Sequence, residues 1–158
     1  MKLQELNESI KQFEIDDALL SLRSNHYFFV QNGLRGASEF ENGKCFEFAV
    51  GLYNFLKSVG EQPELIFLVG NMKKSEAAWY DTTEFDPTQE HPFHTIVKVR
   101  KFYYDANGKL GNKREIATMW PKFRNKKLVP TTLTDVMGYV KDKKIAEIVE
   151  QTLKEFKS

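Results

Sequence analysis

Three residues of this chain, Cys45, His94 and Asp105, have side chains that together could perform acyl-transfer chemistry. A cysteine attacks a carbonyl group as a thiolate, and it needs a nearby base to take its proton. Histidine titrates near neutral pH and suits the role of the base, and a carboxylate suits the role of orienting the histidine ring. The residue types therefore predict a nucleophile, a base and an orienting acid, in that order along the chain.

Cys45 is the only cysteine among the 158 residues, and it follows a turn that contains Gly43. From Cys45 to Gly60, apolar residues recur at helical spacing, which predicts a buried helix with Cys45 in its first turn. The apolar positions are Ala49, Leu52, Tyr53, Leu56 and Val59. Because a helix N-terminus carries a partial positive charge, we expect a lowered cysteine pKa. The alternative is a small buried side chain without a catalytic role.

His94 and Asp105 belong to two consecutive segments that both predict β-strands. His94 begins an apolar run that ends at Arg100, and Asp105 ends a run that begins at Phe102. The short connection between the runs predicts antiparallel pairing, which brings the two side chains close together. The alternatives are a structural histidine within a strand and an aspartate that serves only the turn at Asn107.

Three motifs follow one another in the order of these residues: Gly-x-Cys ending at Cys45, His-Thr-Ile-Val-Lys-Val beginning at His94, and Tyr-Tyr-Asp-Ala-Asn-Gly beginning at Tyr103. Together they resemble the transglutaminase-like branch of the papain-like cysteine enzymes, over roughly residues 42–110. The resemblance implies a Cys–His–Asp triad in which Cys45 is the nucleophile, His94 the base and Asp105 the orienting acid. It also implies a papain-like or transglutaminase-like core and acyl transfer through a thioester.

Enzymes of this kind differ in what resolves the thioester, so several reactions stay open. Water would give a hydrolase or a deamidase, and an amine would give a transamidase, with a protein, a peptide or a small amide as substrate. The backbone N–H of Cys45 is expected to be one donor to the oxyanion, and the second donor is unassigned. We predict substrate contacts from Trp79 and Tyr80, which could equally close the core, and from Asn42 beside the nucleophile.

Residues 75–91 carry five acidic residues and no lysine or arginine, with aromatic residues between them. The acidic residues are Glu76, Asp81, Glu84, Asp86 and Glu90. A loop of this length predicts a lid or a binding loop that precedes His94 and favours cationic substrates. Two alternatives remain, a solvated surface and a non-catalytic protein-binding domain that uses this loop as its contact surface.

A metal site is the other chemical interpretation of this region, because His91 and His94 are close in sequence. With Cys45 and Asp105 they could bind zinc. The chain has no second thiolate, and Pro92 prevents a regular helix that would align the two imidazoles. We therefore expect no metal and no cofactor.

The remaining periodicities predict one α+β domain over residues 1–158, with an antiparallel sheet of about three to five strands. Residues 3–24 predict a helical segment that Asp16 and Asp17 could divide, and residues 26–30 predict a strand or a buried turn. Further strands are predicted at 64–69, where the pattern indicates burial on both faces and an end at Gly70-Asn71, and at 114–120. Residues 122–130 are predicted to form a basic loop, and Thr134 or Asp135 is predicted to cap a short helix. The Cys45 helix is predicted to pack on the sheet, and a C-terminal helix follows.

Composition excludes several classes of protein. The net charge of +1 argues against an obligatory nucleic-acid partner, and 41% hydrophobic residues with 13% aromatics are typical of a globular chain. No apolar run reaches the ~18 residues that a membrane helix needs. A single cysteine cannot form an internal disulfide, so we expect a cytoplasmic protein, and its oligomeric state stays open.

Overall fold

The computed structural model describes residues 12–36, 44–77 and 86–157, which form helices on an antiparallel sheet. The helices are α1 (Gln12–Arg23), α2 (His26–Gln31), α3 (Cys45–Ser58), α4 (Lys74–Ala77), α5 (Lys113–Thr118), α6 (Leu133–Met137) and α7 (Lys143–Lys157). The strands are β1 (Glu64–Met72), β2 (His91–Val99), β3 (Phe102–Asp105), β4 (Gly108–Lys109) and β5 (Phe123–Thr131). The coarse prediction of an α+β fold is thus confirmed.

The sheet has five strands in the order β4-β3-β2-β1-β5, and every neighbouring pair is antiparallel. β1 lies between β2 and β5, and its residues Leu65 to Gly70 are all buried. This confirms the prediction of a strand with two buried faces. The predicted end at Gly70-Asn71 is wrong, because β5 pairs with β1 as far as Met72, opposite Phe123.

One face of the sheet carries the main core, which α3 and α7 cover. α3 contributes Phe48, Leu52 and Phe55, and the sheet contributes residues such as Val97 and Tyr104. α3 approaches α7 closely at Gly51, where an added Cβ would lie 2.7 Å from the Val149 side chain. The prediction that the Cys45 helix packs on the sheet is therefore confirmed, and the C-terminal helix packs on α3.

The opposite face carries a smaller core, and it is the face on which the candidate base lies. Its buried members are Ile66, Leu68, Ile96, Tyr103 and Ile116. α5 contributes Ile116, and the turn that follows α5 contributes Trp120, which packs against this cluster.

Two segments predicted as strands or turns are helices, and in both a capping side chain accepts a backbone N–H at the helix start. Residues 26–31 form α2, whose N-cap Asn25 accepts a hydrogen bond from the N–H of Phe28. α5 replaces the strand predicted at 114–120, and Asn112 and Glu115 form a capping box at its start.

Three smaller predictions are also wrong. The basic segment predicted as a loop is the edge strand β5, whose lysines suit an edge because they discourage pairing with a further strand. Thr132, and neither Thr134 nor Asp135, caps α6. α1 runs without a break through Asp16-Asp17. Among the described helices, none has the length and apolar character needed to cross a membrane.

Candidate active site

The pairing of β2 with β3 brings His94 and Asp105 together, as the sequence predicted. Val97 pairs with Tyr104, so Asp105 follows on β3 toward the end of β2 that carries His94. Nε2 of His94 donates a hydrogen bond to Oδ2 of Asp105 over 3.2 Å. The two side chains are only 1% and 2% exposed, so water does not compete with this hydrogen bond.

Asp105 serves both of the roles that the sequence left open. Its Oδ1 accepts the N–H of Asn107 over 2.8 Å, which is turn chemistry, while its Oδ2 accepts the imidazole of His94. One oxygen therefore fixes the β3–β4 turn, and the other orients the histidine. The turn holds the carboxylate in place for the second task.

The other ring nitrogen of His94 is not used by Asp105. Its Nδ1 is buried and has no hydrogen-bond partner among the residues that the structure describes. Because Nε2 carries the hydrogen that it donates to Asp105, Nδ1 of the neutral ring has a free lone pair. A buried polar atom without a partner costs about 1–3 kcal/mol, so its presence calls for a functional or structural reason.

Cys45 is the first residue of α3 and is 5% exposed. Its thiol has a pKa raised to about 12, mainly because burial disfavours the thiolate, with a further increase from the charge of Glu47. Hydrogen bonds from the backbone N–H groups of Thr95, Phe46 and Cys45 lower the pKa, but by less. The prediction of a lowered pKa is therefore wrong, because burial outweighs the helix N-terminus.

The thiol and the imidazole approach the same strand from different sides. His94 and Ile96 are two residues apart on β2, so both side chains lie on the face of the smaller core. α3 covers the other face of the sheet. The N–H of Thr95, which faces the Cys45 thiol and lowers its pKa, lies beyond the last pair of β2 with β3. The sulfur thus lies beside the residue that follows His94, but no hydrogen bond joins it to Nδ1.

Trp120 is a site residue that the sequence analysis missed. Its ring lies against the imidazole of His94, with ring centroids 4.4 Å apart. Its backbone has φ = +56°, a left-handed conformation that is strained for a large side chain. Pro121, which follows it, was the only local signal of an irregular segment, and the strand predicted through Trp120 obscured that signal.

Phe93 and Phe123 extend the aromatic contacts away from His94. Their rings stack with centroids 3.9 Å apart, and Phe93 also meets Trp120 edge to face at 5.9 Å. His91, the other histidine of β2, meets Phe123 edge to face with centroids 6.0 Å apart, and its Nδ1 donates to the carbonyl of Gln89. His91 is therefore outside the His94–Asp105 pair.

Asn42, Trp79 and Tyr80 lie outside the described residues. The zinc alternative is not supported, since the described ranges contain no group of three or more His, Cys, Asp or Glu residues that could hold a metal ion. Comparisons of the chain with protein-family models, curated proteins and solved structures found no match.

Proposed function

We propose that this chain is a cysteine-dependent acyl-transfer enzyme that acts on an amide or peptide bond, on a papain-like or transglutaminase-like core. One observation carries the proposal: His94 is bound to Asp105 through Nε2, its buried Nδ1 has no hydrogen-bond partner among the described residues, and the Cys45 thiol faces the N–H of Thr95, the next residue of β2. An imidazole oriented by a carboxylate, with one nitrogen unused, is suited to take a proton.

The reaction starts from the protonated thiol, because a pKa of about 12 leaves Cys45 neutral at physiological pH. As the sulfur attacks the substrate carbonyl, Nδ1 of His94 accepts the thiol proton, and the C–S bond forms. His94 then gives that proton to the leaving nitrogen, the C–N bond breaks, and a thioester remains on Cys45. Water or an amine then attacks the thioester, and His94 takes a proton from it as the new C–O or C–N bond forms. The C–S bond breaks, His94 returns that proton to the Cys45 sulfur, and the product leaves as a carboxylic acid or an amide.

This mechanism requires the sulfur to come within hydrogen-bond reach of Nδ1 when the substrate is bound. Hydrogen bonds in catalytic sites are often formed only in the substrate complex, so their absence in the free protein is compatible with the proposal. The N-cap of α3, Lys44, makes no side-chain cap hydrogen bond. When the sulfur moves to attack the carbonyl, the N–H groups of Cys45 and Phe46, which face the thiol in the free protein, could turn to a developing oxyanion.

Acylation by p-nitrophenyl acetate, followed by intact mass spectrometry after an acid quench, tests the proposal. We expect one acetyl group on Cys45 in the folded wild-type protein, none in Cys45→Ala, and a rate about a hundredfold lower in His94→Gln. His91→Gln is the matched control and should react at the wild-type rate. If Cys45 becomes acylated only after unfolding, or if His94→Gln reacts as fast as wild type, the proposal is wrong.

A second candidate function is a non-catalytic protein-binding domain on the same fold, which uses the acidic segment 75–91 as its contact surface. The neutral, buried thiol of Cys45 favours it, since such a thiol is a poor nucleophile without help. Within the described part of the segment, Asp86 and Glu90 are exposed. A pull-down distinguishes the candidates, because charge reversal at Asp81, Glu84 and Asp86 should abolish binding and Cys45→Ala should not.

The single thiol also bears on localisation. We propose a cytoplasmic protein, because a reducing compartment keeps the thiol of Cys45 free. Its partner in the enzymatic case is a protein, a peptide or a small amide.

A further inference from the structure

Lys126 occupies an unusual position for a lysine of an edge strand. It lies on β5 on the same side as Leu128, toward the smaller core, and it is partly buried, whereas its neighbour Lys127 is exposed and forms an ion pair with Glu90. Burial lowers the pKa of the Lys126 ammonium. No carboxylate of the described residues forms an ion pair with Lys126, so another contact has to explain why this amine points inward.

Two carbonyl groups provide that contact. Nζ of Lys126 donates to the carbonyl of Met119 over 2.8 Å and to the carbonyl of Trp120 over 3.3 Å. Both carbonyls belong to the turn that follows α5, where Trp120 has its left-handed backbone conformation. Such a conformation is unfavourable for a residue with a side chain, and it persists only where surrounding contacts enforce it. The ammonium supplies two of those contacts.

The side-chain stem of Lys126 is held as well. At Gly70, an added Cβ would lie 3.1 Å from the Phe93 ring and 3.3 Å from Cγ of Lys126. The absence of a side chain at Gly70 therefore leaves the space that the Phe93 ring and the Lys126 stem occupy. The same Phe93 ring meets Trp120 edge to face. Lys126, Phe93 and Trp120 thus form one connected group that ends at the His94 imidazole.

We infer that Lys126 is a positioning residue for His94, which acts by holding the strained Trp120 turn so that the indole covers one face of the imidazole. The inference rests on the proposed function for its catalytic consequence, but its structural part stands independently. Asp105 fixes the ring through Nε2, and the indole 4.4 Å away restricts the tilt of the ring about that hydrogen bond. Together they set the direction in which Nδ1 points.

The substitution Lys126→Met tests this, because methionine keeps an apolar stem of similar length and removes the ammonium. We expect the His94 ring resonances in a ¹H–¹³C spectrum to shift, since the ring current of Trp120 changes when its turn relaxes. We expect the rate of Cys45 acylation to fall between about tenfold and a hundredfold. Lys126→Arg should recover most of both properties, because a guanidinium can also donate to two carbonyls.

Lys127→Met is the matched control, since it removes the same charge from the adjacent residue on the opposite side of β5. It should leave the His94 resonances and the acylation rate unchanged. Unchanged His94 resonances in a folded Lys126→Met protein would overturn the inference, and so would equal effects of both substitutions. If wild-type Cys45 is not acylated at all, the proposed function fails, while the resonance shift still decides whether Lys126 positions His94.

Discussion

His94 and Asp105 form a hydrogen bond between Nε2 and Oδ2 at a position where both side chains are almost fully buried. The N–H of Asn107 donates to the other carboxylate oxygen and so holds the carboxylate in the position where it meets His94. A turn whose sequence indicates ordinary chain reversal therefore also orients the candidate base. The two roles of Asp105 can be separated by substitution.

Asp105→Asn should keep the turn and lose the orientation of His94. The asparagine oxygen can still accept the Asn107 N–H, but its amide group cannot accept a second hydrogen bond from Nε2 and instead favours the tautomer protonated at Nδ1. We expect near wild-type stability in urea unfolding and an acylation rate at least about a hundredfold lower. ¹⁵N spectra of the imidazole should show the change of tautomer directly.

Asp105→Ala is the companion variant, because it removes both hydrogen bonds. It should be less stable than wild type by about 1–3 kcal/mol, since the N–H of Asn107 and Nε2 of His94 both lose their acceptor. Equal stability of the Ala and Asn variants would show that the turn does not depend on a side-chain oxygen that accepts the N–H of Asn107.

Cys45 should make the protein less stable in alkaline solution. Its pKa rises from the ordinary value of 9.0 to about 12 in the fold because burial disfavours the thiolate. The unfolded chain therefore loses this proton at a lower pH than the folded chain. The stabilisation is fully present below pH 9 and is lost between pH 9 and 12, by at most about 1.4 kcal/mol per pH unit.

The measurement is the melting temperature of wild type and Cys45→Ala over that pH range. Other groups titrate in the same range, including Tyr104, whose pKa burial also raises, so the difference between the two proteins is the informative quantity. The wild-type advantage should shrink steadily above pH 9. A constant difference would mean that the thiol ionises as easily in the fold as in the unfolded chain.

The elements that position the candidate triad were predictable because their patterns are local and strong. The helical spacing after Cys45 and the apolar runs of β2 and β3 indicated the correct elements, and the short connection between the strands indicated their pairing. The pKa of Cys45 was not predictable, because burial depends on how α3 meets the sheet. The sequence shows that Cys45 begins a helix, and the partial positive charge of a helix N-terminus lowers a cysteine pKa. The burial that raises this pKa by more is visible only in the folded structure.

The prediction for the region around Trp120 was wrong for a different reason. Residues 114–120 contain apolar and β-branched residues that suit a strand, but the capping box of Asn112 and Glu115 specifies a helix and was overlooked. The following basic segment lacks the apolar alternation of a buried strand because β5 is an edge strand. Trp120 lies between these two wrongly predicted segments. Its contact with His94 depends on tertiary structure that the sequence of neither segment reveals.

Glu47 is a buried carboxylate that should cost stability at neutral pH. It lies in the first turn of α3, it is 1% exposed, and its Oε2 has no hydrogen-bond partner within the described part of the chain. Burial raises its pKa above the ordinary value of 4.5, although its own backbone N–H, the charge of Lys44 and the N–H of Asp142 oppose the shift. Folding therefore favours the protonated carboxyl group. The resulting stabilisation is greatest below pH 4.5 and is lost as the pH rises through the raised pKa.

Glu47→Gln should consequently be at least as stable as wild type at about pH 7, with a smaller change in stability between pH 4.5 and neutrality. Because the charge of Glu47 also raises the pKa of Cys45, the substitution should move the alkaline transition of Cys45 to lower pH. Urea unfolding at a series of pH values measures both effects, with Glu147→Gln at an exposed position of α7 as the matched control. If Glu47→Gln is the less stable protein at every pH, the carboxylate gains more from its own N–H, the charge of Lys44 and the Asp142 N–H than its burial costs.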